Sequence, residues 1–315
     1  MPINQSTYAA PRDDLAEAFR EYNPDGQTFI GEEILPVRDV VNEAATLSVI
    51  TRENTKVADN KHANGAAFNR VDMIAEDLSY TCVDRGLEIA LTDKDRAKYV
   101  NDFDAELEAI QILKTKMMMK KEERIKDLIF NTTTFTGSTL YNDYSGTPWD
   151  TTTTDIVLQI NYAKEKVRTN STYKADTLII GEGAMQNLLI NDDIRARFPG
   201  APIITEAMIR AQLAAIFGLT NLIVGSAVYD GAKEGQDFSG TDIWADDYAM
   251  VCKRQQGSTR SGGLGRSINW SALSSGIDAI VEYREEQTEA DIFRSREYVV
   301  EKIFDANFGH LLKID

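Results

Sequence analysis

Two glycine clusters hold the residues best suited to gripping a ligand. In the stretch LIIGEGAMQNLL, residues 178 to 189, an apolar run passes through Gly181 and Gly183 into a helical pattern. Such a turn could bring backbone N–H groups and a helix N-terminus onto a phosphate. The dinucleotide fingerprint, however, needs a third glycine where Gln186 stands, and an acidic residue on a second strand about 20 positions later. The stretch NDDIRARFPGAPI, residues 191 to 203, offers no such strand. The reading is a strand-to-helix corner in which glycine supplies backbone freedom. The second cluster, Gly262, Gly263 and Gly265 between Arg260 and Arg266, could form an anion nest but lacks the Lys-Ser/Thr ending of a phosphate loop. It reads as a Gly/Ser-rich turn or mobile loop spanning residues 254 to 267.

Catalytic and metal chemistry finds few parts. His62 and His310 are the only histidines, which leaves little for a Ser-His-Asp triad or a histidine metal site. Both read as surface residues. Asp192-Asp193, Asp246-Asp247 and Glu285-Glu286 could in principle do acid–base work, but adjacent residues on a strand face opposite sides. They read as solvated surface. Cys82 and Cys252 each stand alone in apolar or strand-like surroundings, so buried structural thiols are expected in place of a disulfide or a cysteine metal site. Met117 to Met119, followed by Lys120 and Lys121, could mark an adaptable contact surface, although core packing accounts for one or two of them. No catalytic, cofactor-binding or metal-binding residue is assigned, and no cofactor is implied.

The elements that would carry these residues need a sizeable core, and 315 residues with 43% hydrophobic and 27% charged content allow one. The net charge of −16, with a pI near 4.7, opposes general binding to nucleic acid or to anionic lipid. It would suit a protein that lives beside nucleic acid without adhering to it. No window approaches the roughly 18 apolar residues of a membrane span, and the N-terminus lacks a signal pattern. A cytoplasmic protein is expected.

Residues 1 to 36 contain one short helical candidate, Asp13 to Tyr22, and then the turn NPDG, and read as an arm. Residues 51 to 70 are polar apart from Val57 and Phe68 and cannot bury a face on either period, so they should project as a loop or hairpin. Strand alternation returns at Tyr80 and Cys82 and again at Leu87, Ile89 and Leu91, interrupted at Asp84-Arg85-Gly86. Thr92 then caps a helical pattern running to about Asn131. Its apolar positions Val100, Phe103, Leu107, Ile110, Leu113, Met117, Ile125 and Leu128 recur with no Gly or Pro inside. One helix of roughly 38 residues would be about 57 Å long. The Thr-rich run from 131 to 155 reads as a linker. An α/β alternation follows: helix 155–169, strand 175–181, helices 183–190 and 205–217, strand 221–229 and strand character at 242–254. Long charged strands close the chain, and no internal repeat is apparent.

This order of parts resembles the major capsid protein of tailed bacteriophages, with the Hong Kong 97 type fold. The stretch TRENTKVADNKHANGAAF resembles its E-loop, and the helix that starts at TDKDRAKYV resembles the spine of its peripheral domain. TLIIGEGAMQNLL and ITEAMIRAQLAAIFGLTNLIVGSAVYD are similar to its axial domain. The resemblance implies an α+β fold divided into an N-terminal arm (1–36), an E-loop hairpin with flanking strands (37–91) and a spine helix with linker (92–154). An axial domain (155–270) and return strands of the peripheral domain (271–315) would follow.

What the resemblance implies about function is structural and non-enzymatic. Copies would form hexamers and pentamers of an icosahedral head around double-stranded DNA, each laying its hairpin and arm over neighbours. Partners would be other copies, a separate scaffolding protein because no long helical leader precedes the arm, a portal and a decoration protein. DNA would be touched weakly and non-specifically, no membrane would be involved, and the particle would be assembled in the host cytoplasm and reside in the virion. Relatives that crosslink covalently use a hairpin lysine, for which only Lys56 and Lys61 are present, without a matching partner. The physics of the hairpin points the same way: a polar segment of about 20 residues costs ordering entropy that only partners can offset. Two alternatives are a nanocompartment shell holding an enzyme and a soluble α/β enzyme using the Gly181 corner or the Arg260 to Arg266 loop.

Overall fold

The alternating apolar residues near both ends of the chain meet in space. The computed structural model describes residues 10–11, 22, 29–50, 52–61, 68–99, 104–197, 206–255, 262–272 and 280–315. The expected helix at Asp13 to Tyr22 therefore lies, apart from Tyr22, outside the described residues. The chain begins with β1 (Ala10–Pro11), α1 (Gly31–Ile34), β2 (Val37–Val40) and β3 (Ala44–Ile50), then a 3-10 turn at Arg52–Thr55. β4 (Ala75–Thr81) returns antiparallel to β3, with Ala44 opposite Thr81 and Ile50 opposite Ala75. Between them the chain projects. Ile30, Ile34 and Leu35 are fully buried against Ile125 and Ile129, so the last residues assigned to the arm belong to the core.

β5 (Val83–Thr92) follows without a break at Gly86, contrary to the expected interruption. The Thr92 hydroxyl accepts from the Asp95 N–H at 3.1 Å and starts α2 (Asp93–Tyr99) as its sequence suggests. The single helix expected from 92 to 131 is two. Asp104 leaves helical backbone at φ −73°, ψ 100°, and its carboxylate accepts from the Glu106 and Leu107 N–H groups to start α3 (Ala105–Ile129). Apolar spacing carries through Val100 and Phe103 with no Gly or Pro to mark the joint, so the cap at Asp104 was the only local signal. At 25 residues, α3 is about 37 Å long. It lies across β5, burying Ile110, Leu113 and Met117 beneath it.

The Thr-rich stretch expected to be a linker is built into the core. Phe135 and Trp149 are fully buried, and the Trp149 indole N–H donates to Gln159 Oε1 at 2.7 Å. It forms α4 (Gly137–Leu140) and β6 (Tyr141–Asp143). After it come α5 (Ile156–Ser171), β7 (Thr177–Gly181), α6 (Glu182–Ile190), α7 (Asp192–Ala196), α8 (Glu206–Phe217) and β8 (Asn221–Gly225). The expected strand 221–229 is divided between β8 and β9 (Val228–Asp230), and β10 (Gly240–Asp242) precedes β11 (Tyr248–Cys252). β12 (Gly265–Trp270), β13 (Ile280–Glu285), β14 (Ala290–Ile303) and β15 (Gly309–Lys313) complete the chain.

Two large sheets organise most of these strands, while β3-β4 and β9-β10 pair separately. One runs β6-β15-β11-β7-β8; the other runs β1-β13-β14-β12-β2, with β5 also on β14. The sheets cut the chain differently from the boundaries at 155–270 and 271–315. β12 belongs with β14, and β15 belongs with β7 and β11. Each pairs across a long sequence separation, which local pattern does not reveal. A hydrophobic cluster around Ile160, Leu178, Ile180 and Leu312 covers one face of the first sheet, and one around Ile125, Ile179, Trp244 and Met250 the other.

Candidate functional site

At the Gly181 corner the anion is part of the chain. The Asp246 carboxylate accepts from the Ala184 N–H at 3.1 Å and from the Gly183 N–H. It occupies the N-terminus of α6, where a ligand phosphate would sit. A Cβ at Gly183 would lie 2.0 Å from Asp246 Oδ2, and one at Gly181 would lie 2.3 Å from the Trp244 carbonyl oxygen. The glycines thus admit the loop carrying Trp244 and Asp246. Burial raises the Asp246 carboxyl above its ordinary range, with the Ala184 and Gly183 N–H groups opposing that rise. Asp246 was expected on the solvated surface; it is a half-buried cap, because a helix N-terminus attracts a carboxylate.

The other sequence candidates do not converge. Gly262 and Gly263 pack against Phe308 and Gln255, and Gly265, Arg266 and Ser267 are buried in β12, so these residues form strand and packing instead of the expected mobile loop. Arg260 and His62 lie outside the described residues. His310 is fully buried, not superficial: Nδ1 donates to the Thr139 carbonyl at 3.1 Å and Nε2 faces the Asn142 carboxamide at 2.9 Å. Burial pushes its pKa down to about 4. Asp192 and Asp193 are exposed in the first turn of α7, and Glu285 and Glu286 are exposed at the end of β13. Cys82 and Cys252 are buried free thiols, and burial pushes both upward in pKa. Among the described residues no three His, Cys, Asp or Glu side chains cluster to hold a metal, and no helix is long and apolar enough to cross a membrane.

The polar structure that ties the molecule together centres on α3. Glu122, 3% exposed, accepts from the Trp244 indole N–H at 2.7 Å and from the Ile30 and Gly31 backbone N–H groups. It thereby caps α1 and holds the Trp244 loop. Burial raises its carboxyl above the ordinary range, against these hydrogen bonds and the nearby Lys121. Two residues on, Arg124 donates to Glu297 at 2.8 Å and to Glu301 at 2.7 Å, both on β14. Sequence reading missed this joint. Its one local signal was Glu122 on the apolar stripe of Ile125 and Ile129, three and seven positions away.

The projecting hairpin is the opposite case. Val57 is 100% exposed, Phe68 77% and Met73 79%, and Val71 is exposed beside them. At its base Arg52 donates to the Asn170 carbonyl at 2.9 Å, and the Asn54 carboxamide bonds Ile74 across the strands. Lys56 and Lys61 are exposed on it, Lys56 paired loosely with Glu53 at 3.4 Å. Of the methionine triplet, Met117 is buried with Leu91 and Phe293, while Met119 is half-buried beside Tyr229 and Ile243. What this arrangement offers is uncovered apolar surface; among the described residues no reactive groups gather on it.

Comparison with known proteins agrees with that geometry. The chain is 22% identical over 294 residues to the major capsid protein of Burkholderia phage BcepMu, covering 90% of each chain. A phage-related protein from Bordetella bronchiseptica RB50 superposes with a TM-score of 0.71 at 15% identity, over 97% of this chain and 98% of that one. The capsid of cyanophage P-SCSP1u matches with a TM-score of 0.64 at 10% identity, over 93% and 90%. No protein-family model matches. The chain therefore has the mixed α+β fold of phage capsid proteins.

Proposed function

We propose that this chain is the major capsid protein of a tailed phage, a structural and non-enzymatic protein whose copies build a closed shell. The observation that carries the reading is the hairpin between β3 and β4. Its apolar side chains Val57, Phe68, Val71 and Met73 are exposed along one projecting segment, and a group of exposed apolar side chains marks an interaction surface. A capsid relative spanning 90% of both chains supports the same reading. The Gly181 corner, filled by Asp246, gives the enzyme reading no cradle.

The finer reading is that copies form hexamers and pentamers of an icosahedral head in the host cytoplasm, each laying its hairpin over a neighbour. A scaffolding protein, a portal and a decoration protein would act with it. The charge of −16 suits a container that does not adsorb the DNA it encloses. Size-exclusion chromatography and negative-stain microscopy of the expressed chain test the reading. Closed particles of uniform size are expected; monomers and dimers alone under all assembly conditions contradict it. The contents of native particles separate a DNA-filled head from a nanocompartment with an enzyme inside.

A further inference from the structure

A second unfinished surface lies away from the hairpin. A groove of about 510 Å³ runs between α3 and the β9–β10 strands. Its floor is apolar, formed by Met119, Tyr229 and Ile243, and Lys116, Lys120 and Lys126 rim it against two carboxylates, Glu123 and Asp242. Lys120 is paired with Glu123 and Lys126 with Asp127 on their own helix, whereas Lys116 is exposed. Three lysines around an apolar floor run against the trend of a chain with net charge −16, and they suit an occupant that brings carboxylates together with an apolar anchor.

The chain itself carries such a segment. The tip joining β9 to β10, residues 230 to 240, holds Asp230, Glu234 and Asp237 against a single lysine, Lys233. It also presents Phe238, 74% exposed. The tip is preorganised. The Asp230 carboxylate accepts from the Ala232 and Ser239 N–H groups at 3.0 Å each, the Gly231 N–H donates to the Ser239 carbonyl, and the Gln236 N–H to the Lys233 carbonyl. Gly235 takes the positive φ of +83° that the turn requires. A rigid loop holding an aromatic ring in water loses little entropy when that ring is covered. The exposure of Phe238 shows that the tip does not fill the groove of its own chain.

We propose that the groove receives the Asp230 to Phe238 tip of a second copy of the chain, an inference that rests on the shell-forming reading. Phe238 seats on Met119 and Tyr229, where a thioether and a ring both favour aromatic contact. Glu234 and Asp237 meet Lys116 and Lys120. Each copy carries one tip and one groove, so on the shell-forming reading the contact can repeat heterologously from copy to copy, each groove receiving the tip of the next.

Charge reversal on both sides tests it, with particle yield by electron microscopy as readout and circular dichroism and thermal unfolding to confirm folding. The double variants K116E/K120E and E234K/D237K should each lower yield on the order of tenfold or more, and the quadruple variant carrying all four changes should restore it. Phe238→Ala, at an exposed position, should fold normally and also lower yield about tenfold. Particles from the unmodified chain together with normal yield from both double variants and from Phe238→Ala would overturn the proposal. So would a failure of the quadruple variant to recover while Phe238→Ala assembles normally. No particles from the unmodified chain would instead overturn the shell reading beneath it.

Discussion

The joint around α3 and the hairpin beyond β3 both invert the usual placement of residue types, charge inside in one and apolar groups outside in the other. Glu122 and Arg124 are charged, but their bonds to Trp244, Gly31, Glu297 and Glu301 are made within the chain, and apolar residues close over them. Phe68, Val71 and Met73 are apolar, yet they are 77%, 74% and 79% exposed. One region is complete in a single copy; on the proposed reading the other is completed by a neighbouring copy. For a shell-building subunit that division is useful: a stable interior holds the shape, while the free energy of burying the hairpin is released only on assembly.

The contrast breaks first at Arg124. Arg124→Ala would leave Glu297 and Glu301, with side chains 2% and 6% exposed, buried without their cation. A loss on the order of 3–5 kcal/mol in stability is expected, read as a lowered denaturant midpoint of the unassembled chain. An unchanged midpoint would mean that the joint does not hold the interior.

His310 sharpens the same point through pH. Its pKa in the fold is about 4, below the ordinary 6.5, so on acidification the unfolded chain takes up the proton first. The stabilisation is fully present above about pH 6.5 and is lost as pH falls toward 4, on the order of 3 kcal/mol in all. Unfolding free energies measured across that range should fall less steeply for His310→Gln than for the native chain, and parallel curves would contradict the assignment.

Next in size is the filled corner. Gly183→Ala places a methyl group against Asp246 and should cost about 1–3 kcal/mol. Asp246→Ala in the same chain should recover part of that loss, so that a double-mutant cycle shows coupling. Strict additivity would mean that Asp246 does not occupy the corner. The smallest effect on the chain itself belongs to the hairpin. Phe68→Ser, Val71→Ser and Met73→Ser should each change its stability by less than about 0.5 kcal/mol. Their combination should nonetheless depress particle yield. A large loss of stability in the unassembled chain would show that these residues already support its interior.

Local pattern made some of this legible. The corner at Gly181, the Thr92 cap and the projection of the segment after Ile50 follow from glycine geometry, side-chain capping and absent periodicity, all properties of neighbouring residues. What stayed hidden depended on distant partners. Glu122 meets a tryptophan 122 positions away, and His310 meets Thr139 from 171 positions away. Trp149 looked like part of a Thr-rich connector until Gln159 and the core around it were in place. The helix joint at Asp104 is a different failure: the signal was local, but an uninterrupted apolar spacing outweighed it.

Hydrogen–deuterium exchange compared between the unassembled chain and assembled particles tests the central claim most directly. Amides from Phe68 to Met73 should exchange rapidly in the free chain and slow on the order of tenfold or more in particles, while α3 around Glu122 stays equally protected in both. Unchanged exchange in the hairpin after assembly would contradict the account.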